Sequence, residues 1–155
     1  MTMTSNPPAV VDEADFIVRR TISIAAPVHK VWSAITDPEH ISRWFGRVQL
    51  DDRGVGSISW PDRVLPLRLE SMDEPHAVSY RWTNDDVSSD DPATVDDSHS
   101  TVFTFTLQAT DEGTQLTVVE TGFQSLAHPS ANLASHREGW TIELDKLVVL
   151  LESDV

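Results

Sequence analysis

The sequence predicts an α+β fold: a curved antiparallel sheet of about seven strands wrapped on a long C-terminal helix, with two short helices after the first strand. Three observations carry this. Leu133, Arg137, Trp140, Leu144, Leu147 and Leu151 recur at steps of four and three, the spacing of one helix face. Upstream, short runs of alternating apolar and polar residues are separated by turn residues, as in an antiparallel meander. Only the C-terminal helix is long enough to cover the apolar face of such a sheet, and a straight rod against a curved surface leaves a hollow.

Taken in order, residues 1–14 are small, polar and acidic, with Pro7-Pro8, and read as a disordered arm. Residues 15–153 then form one domain. Phe16 to Ile24 is the first strand, with Val18, Arg20, Ile22 and Ile24 on one face. Pro27 suits the first turn of a helix, and Val28 to Thr36 follows it with Val31, Trp32 and Ile35 on its apolar side. Asp37-Pro38 breaks that helix, a second short one runs through Ile41 to about Trp44, and Gly46 ends the pair.

Arg47 to Leu50, Gly56 to Trp60, Val64 to Met72 and His76 to Thr83 read as strands. Pro66 marks the third of these as an edge or bulged strand. Asn84 to Ser98 holds six aspartates and almost no apolar residue. That is the composition of a solvated loop; it lacks the D-x-D-x-D-G alternation and closing glutamate of a calcium loop. Thr101 to Ala109 and Thr114 to Phe123 form the last hairpin around Asp111-Glu112-Gly113. The terminal helix spans about Asn132 to Glu152, with Asn132 or the Ser135/Glu138 pair as its cap. Gly139 interrupts it, which suggests close packing at that point or clearance at a pocket mouth.

Composition narrows the function classes. The 155 residues contain no cysteine, which excludes disulfides, thiol catalysis and thiolate metal sites. A net charge of −14 argues against nucleic acid and anionic membrane surfaces as partners. It fits a solubility-favouring surface, or one adapted to high salt. No apolar run approaches membrane-spanning length, and the first residues do not resemble a secretory signal, so cytoplasmic residence is the expectation. The six histidines show no metal-ligand spacing, and neither G-x-S-x-G nor a phosphate-cradling loop is present. No metal or cofactor is expected.

Several runs carry a family resemblance: AAPVHKVWSAITDPEHISRWFG (Ala25–Gly46), YRW (Tyr80–Trp82), ETGF (Glu120–Phe123) and HREGWTIELDKL (His136–Leu147). Together they resemble the START-like (SRPBCC) helix-grip superfamily. Within it they are similar to the family of the C-terminal domain of the activator of the heat-shock-protein-90 ATPase. The resemblance covers about residues 16–152. It implies a ligand cavity between the terminal helix and the sheet, with neighbouring first and last strands.

Trp60, Tyr80, Trp82, Phe103, Phe105, Trp140 and Leu144 are the expected lining, as an aromatic and aliphatic wall or as ordinary core. Trp32, Trp44 and Phe45 are expected to pack the short helices against the sheet's end. Glu120 alternates with Leu116 and Val118 and so points inward, where a carboxylate needs a partner or a proton. Arg20 is the candidate partner, the alternative being that one of the two sits at the sheet's rim. His136, one turn before Trp140, could reach the pocket entrance or lie at the surface.

Three functions follow. The first is binding of a small apolar, aromatic or lipid-like molecule. The second, also implied by the resemblance, is polyketide-cyclase or aromatase chemistry using Glu120, Arg20, His76 or Tyr80. The third, implied by the resemblance, is interaction with a chaperone.

Overall fold

A computed structural model describes residues 6–83 and 95–153. Eight strands form one antiparallel sheet in the order β1-β2-β8-β7-β6-β5-β4-β3. They are β1 (Val10–Asp12), β2 (Ile17–Ile24), β3 (Arg47–Leu50), β4 (Val55–Trp60), β5 (Arg63–Asp73), β6 (Ala77–Thr83), β7 (Ser100–Thr110) and β8 (Gly113–Thr121). Helices α1 (Val28–Thr36) and α2 (Pro38–Ile41) link β2 to β3, and α3 (Pro129–Ser153) follows a 3-10 turn at Phe123–Ser125. First and last long strands are neighbours, with Val18 opposite Glu120 and Arg20 opposite Val118.

β2, β6, β7 and β8 bury alternate residues along most of their length, as period two requires. β8 buries Thr114, Leu116, Val118 and Glu120; β7 buries Phe103, Phe105 and Leu107. These faces meet Leu133, Trp140, Leu144, Leu147 and Leu151 of α3, all buried, so the helix lies along the concave side of the curved sheet. At 1.5 Å per residue α3 is about 37 Å long.

Several expectations are refined or corrected. The arm expected over 1–14 is ordered from Asn6 on, and it supplies the eighth strand. Val10–Asp12 pairs with β2, Ala9 is fully buried, and Asn6 exchanges two hydrogen bonds with the Ser23 backbone. Three residues are too few for a periodic pattern, which is why the strand escaped the sequence reading. Its first residues, 1–5, lie outside the described residues.

Of the two readings of Pro66, the bulged strand holds and the edge strand does not: β5 lies inside the sheet between β4 and β6, with Pro66 opposite Ser57 and the irregularity at Leu69/Ser71. A proline removes a donor toward one neighbour only, and the remaining ladder holds the strand. Helix α3 begins at Pro129, before either expected cap. Proline suits the first helical position, and Asn132, already inside the helix, bonds back to the His128 carbonyl. The second helix ends at Ile41 rather than near Trp44; it starts on Pro38 with Asp37 capping the Glu39 amide at 3.0 Å. The aspartate-rich stretch and its calcium alternative lie largely outside the described residues. At its end Asp97 pairs with Arg68 at 2.8 Å.

Arg20 is the clasp between the N-terminal segment and α3. Its guanidinium is buried and donates to Pro7 O at 2.8 Å, Trp140 O at 3.2 Å, Thr141 O at 2.9 Å and Asp145 Oδ1 at 2.7 Å. Arg137 adds a bond to Ala9 O at 2.9 Å. Replacing Arg20 by methionine keeps the stem packing and removes these bonds. The expected cost is about 2 kcal/mol by urea denaturation, with faster amide exchange in β1. Unchanged exchange there would contradict the clasp.

Gly139 is not tightly packed: a Cβ built on it meets nothing within 4 Å. Gly139→Ala is therefore expected to stabilise the protein by about 0.5–1 kcal/mol through helix propensity alone, measured in the same denaturation assay.

Candidate functional site

Between α3 and the sheet, aromatic side chains from every side meet. Phe45, just past α2, is at the centre: its ring lies 5.1 Å from Trp44, 5.7 Å from Trp60, 5.7 Å from Trp82, 6.1 Å from Phe103 and 5.4 Å from Trp140. Tyr80 stacks on Phe103 at 5.4 Å, and Phe105 meets Trp140 edge-on at 5.7 Å. Trp60 is half-buried at the rim, with Arg63 above its ring at 4.9 Å. Leu144 is fully buried on α3.

The expected lining residues Trp60, Tyr80, Trp82, Phe103, Phe105 and Trp140 thus share one cluster. Trp44 and Phe45, expected at the sheet's end, belong to it as well. Gly46 lets this segment pass close over β4, since a Cβ there would lie 2.7 Å from Ile58 and 2.9 Å from Trp60.

The hollow is nearly filled. An apolar cavity of about 10 Å³ remains, bounded by Ile35, Ile41, Trp44, Phe45 and Val48 on one side and by Ile58, Leu67, Tyr80, Phe103 and Phe105 on the other. That is no more than the space one water needs, and it offers water no partners. A larger open groove lies beside the start of α1 and the β7–β8 turn, lined by Ala25–His29 and Ala109–Gly113.

The polar atoms near the cavity are committed. α1 ends with unpaired carbonyls, as any helix does. Trp44 Nε1 donates to Ala34 O at 2.8 Å and Tyr80 O–H to Ile35 O at 2.6 Å. Burial pushes the Tyr80 phenol well up, which keeps it a donor.

Glu120 is fully buried, as its place in the strand period implies, but Arg20 is not its partner. The two stand two residues apart in register, and the guanidinium reaches across to α3 instead. Four donors surround the carboxylate. Oε1 accepts from Trp140 Nε1 at 2.8 Å and contacts His136 Nδ1 at 2.8 Å; Oε2 accepts from Trp82 Nε1 at 2.9 Å and Thr101 Oγ1 at 2.5 Å. Burial pushes the carboxyl up. The His136 charge and the hydrogen bonds from His136, Thr101 and Trp82 outweigh that and hold it below its ordinary value.

A carboxylate has about four acceptor positions, and here all are used. Glu120 is therefore a structural anchor with no lone pair to offer a substrate. His76, another of the candidate groups, is exposed in the turn before β6. His136 and Thr101 complete the cage. His136 was legible as one helical turn from Trp140; Thr101 gave no signal beyond lying on a strand. Among the described residues no three His, Asp or Glu side chains group as metal ligands, and no helix is long and apolar enough to cross a membrane.

The depressed folded-state pKa of Glu120 gives stability that is present above the unfolded value of 4.5 and is lost as pH falls through the folded one. Glu120→Gln turns an amide N–H₂ toward existing donors. The expected loss is about 3 kcal/mol at neutral pH, narrowing as pH falls below 4.5 and the wild-type carboxyl takes up its proton. Denaturation of both proteins across that range checks it; equal stability at neutral pH would contradict the cage.

Residues 25–152 match the family described as Activator of Hsp90 ATPase homolog 1-like protein. Among solved structures, the chain is similar to protein MLL2253 from Mesorhizobium loti. The identity is 26%, covering 88% of this chain and 97% of that one, with a TM-score of 0.72. Protein Ms6760 from Mycobacterium smegmatis is 21% identical over 95% of this chain and 97% of its own, with a TM-score of 0.71. DynU16, from the dynemicin biosynthetic locus, is 24% identical over 90% of this chain, which spans about half of it (48%), with a TM-score of 0.72. No curated protein matches. The matched span takes in both short helices, the sheet from β3 onward and nearly all of α3, and the chain belongs to the family of Activator of Hsp90 ATPase homolog 1-like proteins.

Proposed function

We propose that this protein binds a small, flat, apolar molecule between α3 and the sheet, in space that Phe45 fills when no guest is present. One observation carries the reading. The side chain at the centre of the aromatic cluster comes from the short connection after α2, not from the sheet or the long helix. Beside its aromatic neighbours it also borders the small apolar cavity. A plug on a short connection can swing out without unpairing a strand, and ring faces of Trp82, Phe103 and Trp140 would then line the vacated space.

The cyclase-like alternative asks for a carboxylate able to take a proton from a substrate, and the saturated Glu120 does not supply one. Binding is therefore favoured over acid/base chemistry at this centre.

Phe45→Ala is expected to cost about 3 kcal/mol and to leave a cavity of ring size. Naphthalene should then raise its melting temperature, and that of the wild type by less, in step with ligand excess. If Phe45→Ala does not fold, Phe45→Leu serves. No thermal shift in wild type or variant would contradict the reading and favour a protein-interaction role.

A further inference from the structure

We infer that the Tyr80 hydroxyl is the latch of the α1–α2 flap and, once released, the group that selects a ligand bearing a hydroxyl. The inference rests on the binding site proposed above. The cavity lies between two bodies: the flap, which contributes Ile35, Ile41 and Phe45, and the sheet, which contributes Tyr80 and Phe103. To admit a ring, the 10 Å³ space must widen, so the flap must move off the sheet.

The bond from Tyr80 O–H to Ile35 O, at 2.6 Å, spans that gap. Stacking on Phe103 holds the Tyr80 ring to the sheet, so the ring cannot follow the flap. Among the described residues, the flap's other polar contacts stay inside it or sit at its ends. Trp44 Nε1 bonds Ala34 O, the Val48 amide bonds Ser42 Oγ, and Thr114 Oγ1 bonds Ala26 O. These can persist while the flap moves.

Opening leaves a phenol donor and a helix-end carbonyl facing each other without partners in an apolar site, and both then need one. A ligand hydroxyl inserted between them accepts from Tyr80 and donates to Ile35 O, which replaces the broken bond. A ligand without such a group cannot do this. The chemical class selected is a flat aromatic or polycyclic molecule with one hydroxyl at its edge.

The test compares 2-naphthol and naphthalene on wild type and Tyr80→Phe by calorimetric or fluorescence titration. Comparing the ratio of the two affinities across the two proteins cancels the difference in probe solvation. In the variant no bond has to break, so naphthalene should bind about three- to tenfold tighter than in wild type. The preference for naphthol over naphthalene should fall by at least about threefold. Amides of residues 37–46 should exchange faster in the variant, while those of β7 stay unchanged.

Probe binding with an unchanged affinity ratio, or unchanged exchange in the flap, overturns the latch and leaves the ligand site standing. Absence of binding by either probe to wild type, Tyr80→Phe and Phe45→Ala overturns both.

Discussion

The buried carboxylate of Glu120 sets the geometry of this core. A charge with no exposure to water in an aromatic interior would be expelled or neutralised if left alone. It is kept because β6, β7 and α3 each deliver a donor to it: Trp82, Thr101, and the pair His136 and Trp140. The bonds act in both directions. They make the carboxylate tolerable, and they fix the roll of α3 against the sheet and the plane of two indoles. Those two indoles form the wall against which Phe45 packs. A hydrophobic residue at this position could fill the same volume, but it could not orient both rings.

A second polar anchor works on the neighbouring strand β2. Arg20, also buried, ties the N-terminal segment to the backbone of α3 at Trp140 and Thr141. Trp140 is thus held through its ring by Glu120 and through its carbonyl by Arg20. With α3 fixed to the sheet by these two anchors, the proposed binding assigns the motion to the α1–α2 flap and the connection carrying Trp44 and Phe45. A rigid wall facing a light flap is the arrangement that lets an interior be closed when empty and still take a guest.

Much of this was legible in the residues. The period of α3 and the alternation along β2, β7 and β8 located the layers, because both patterns extend over enough residues to be distinguished from chance. They also located Glu120 and Arg20 as inward. Their partners were not legible. Which donors reach a buried charge depends on cross-strand register and on how far a long side chain extends, and neither is written in one strand's own sequence. Phe45 was placed at the sheet's end because the chain around it reads as a helix terminus; its central position follows from how the flap folds back over β4. Gly139 was misread for a related reason, since a glycine in a helix signals tight packing only when a neighbour is there. The strand at Val10–Asp12 is held by Arg20 and by pairing, not by a pattern of its own.

The central claim is that the guest's place is the one Phe45 now occupies. A crystal structure of the protein grown with naphthalene tests it most directly. The account requires the aromatic guest among Trp82, Phe103 and Trp140, the Phe45 ring turned out, and all four contacts to Glu120 intact. Naphthalene found elsewhere with Phe45 still in place, or a Glu120 stripped of its indole donors on binding, would contradict it.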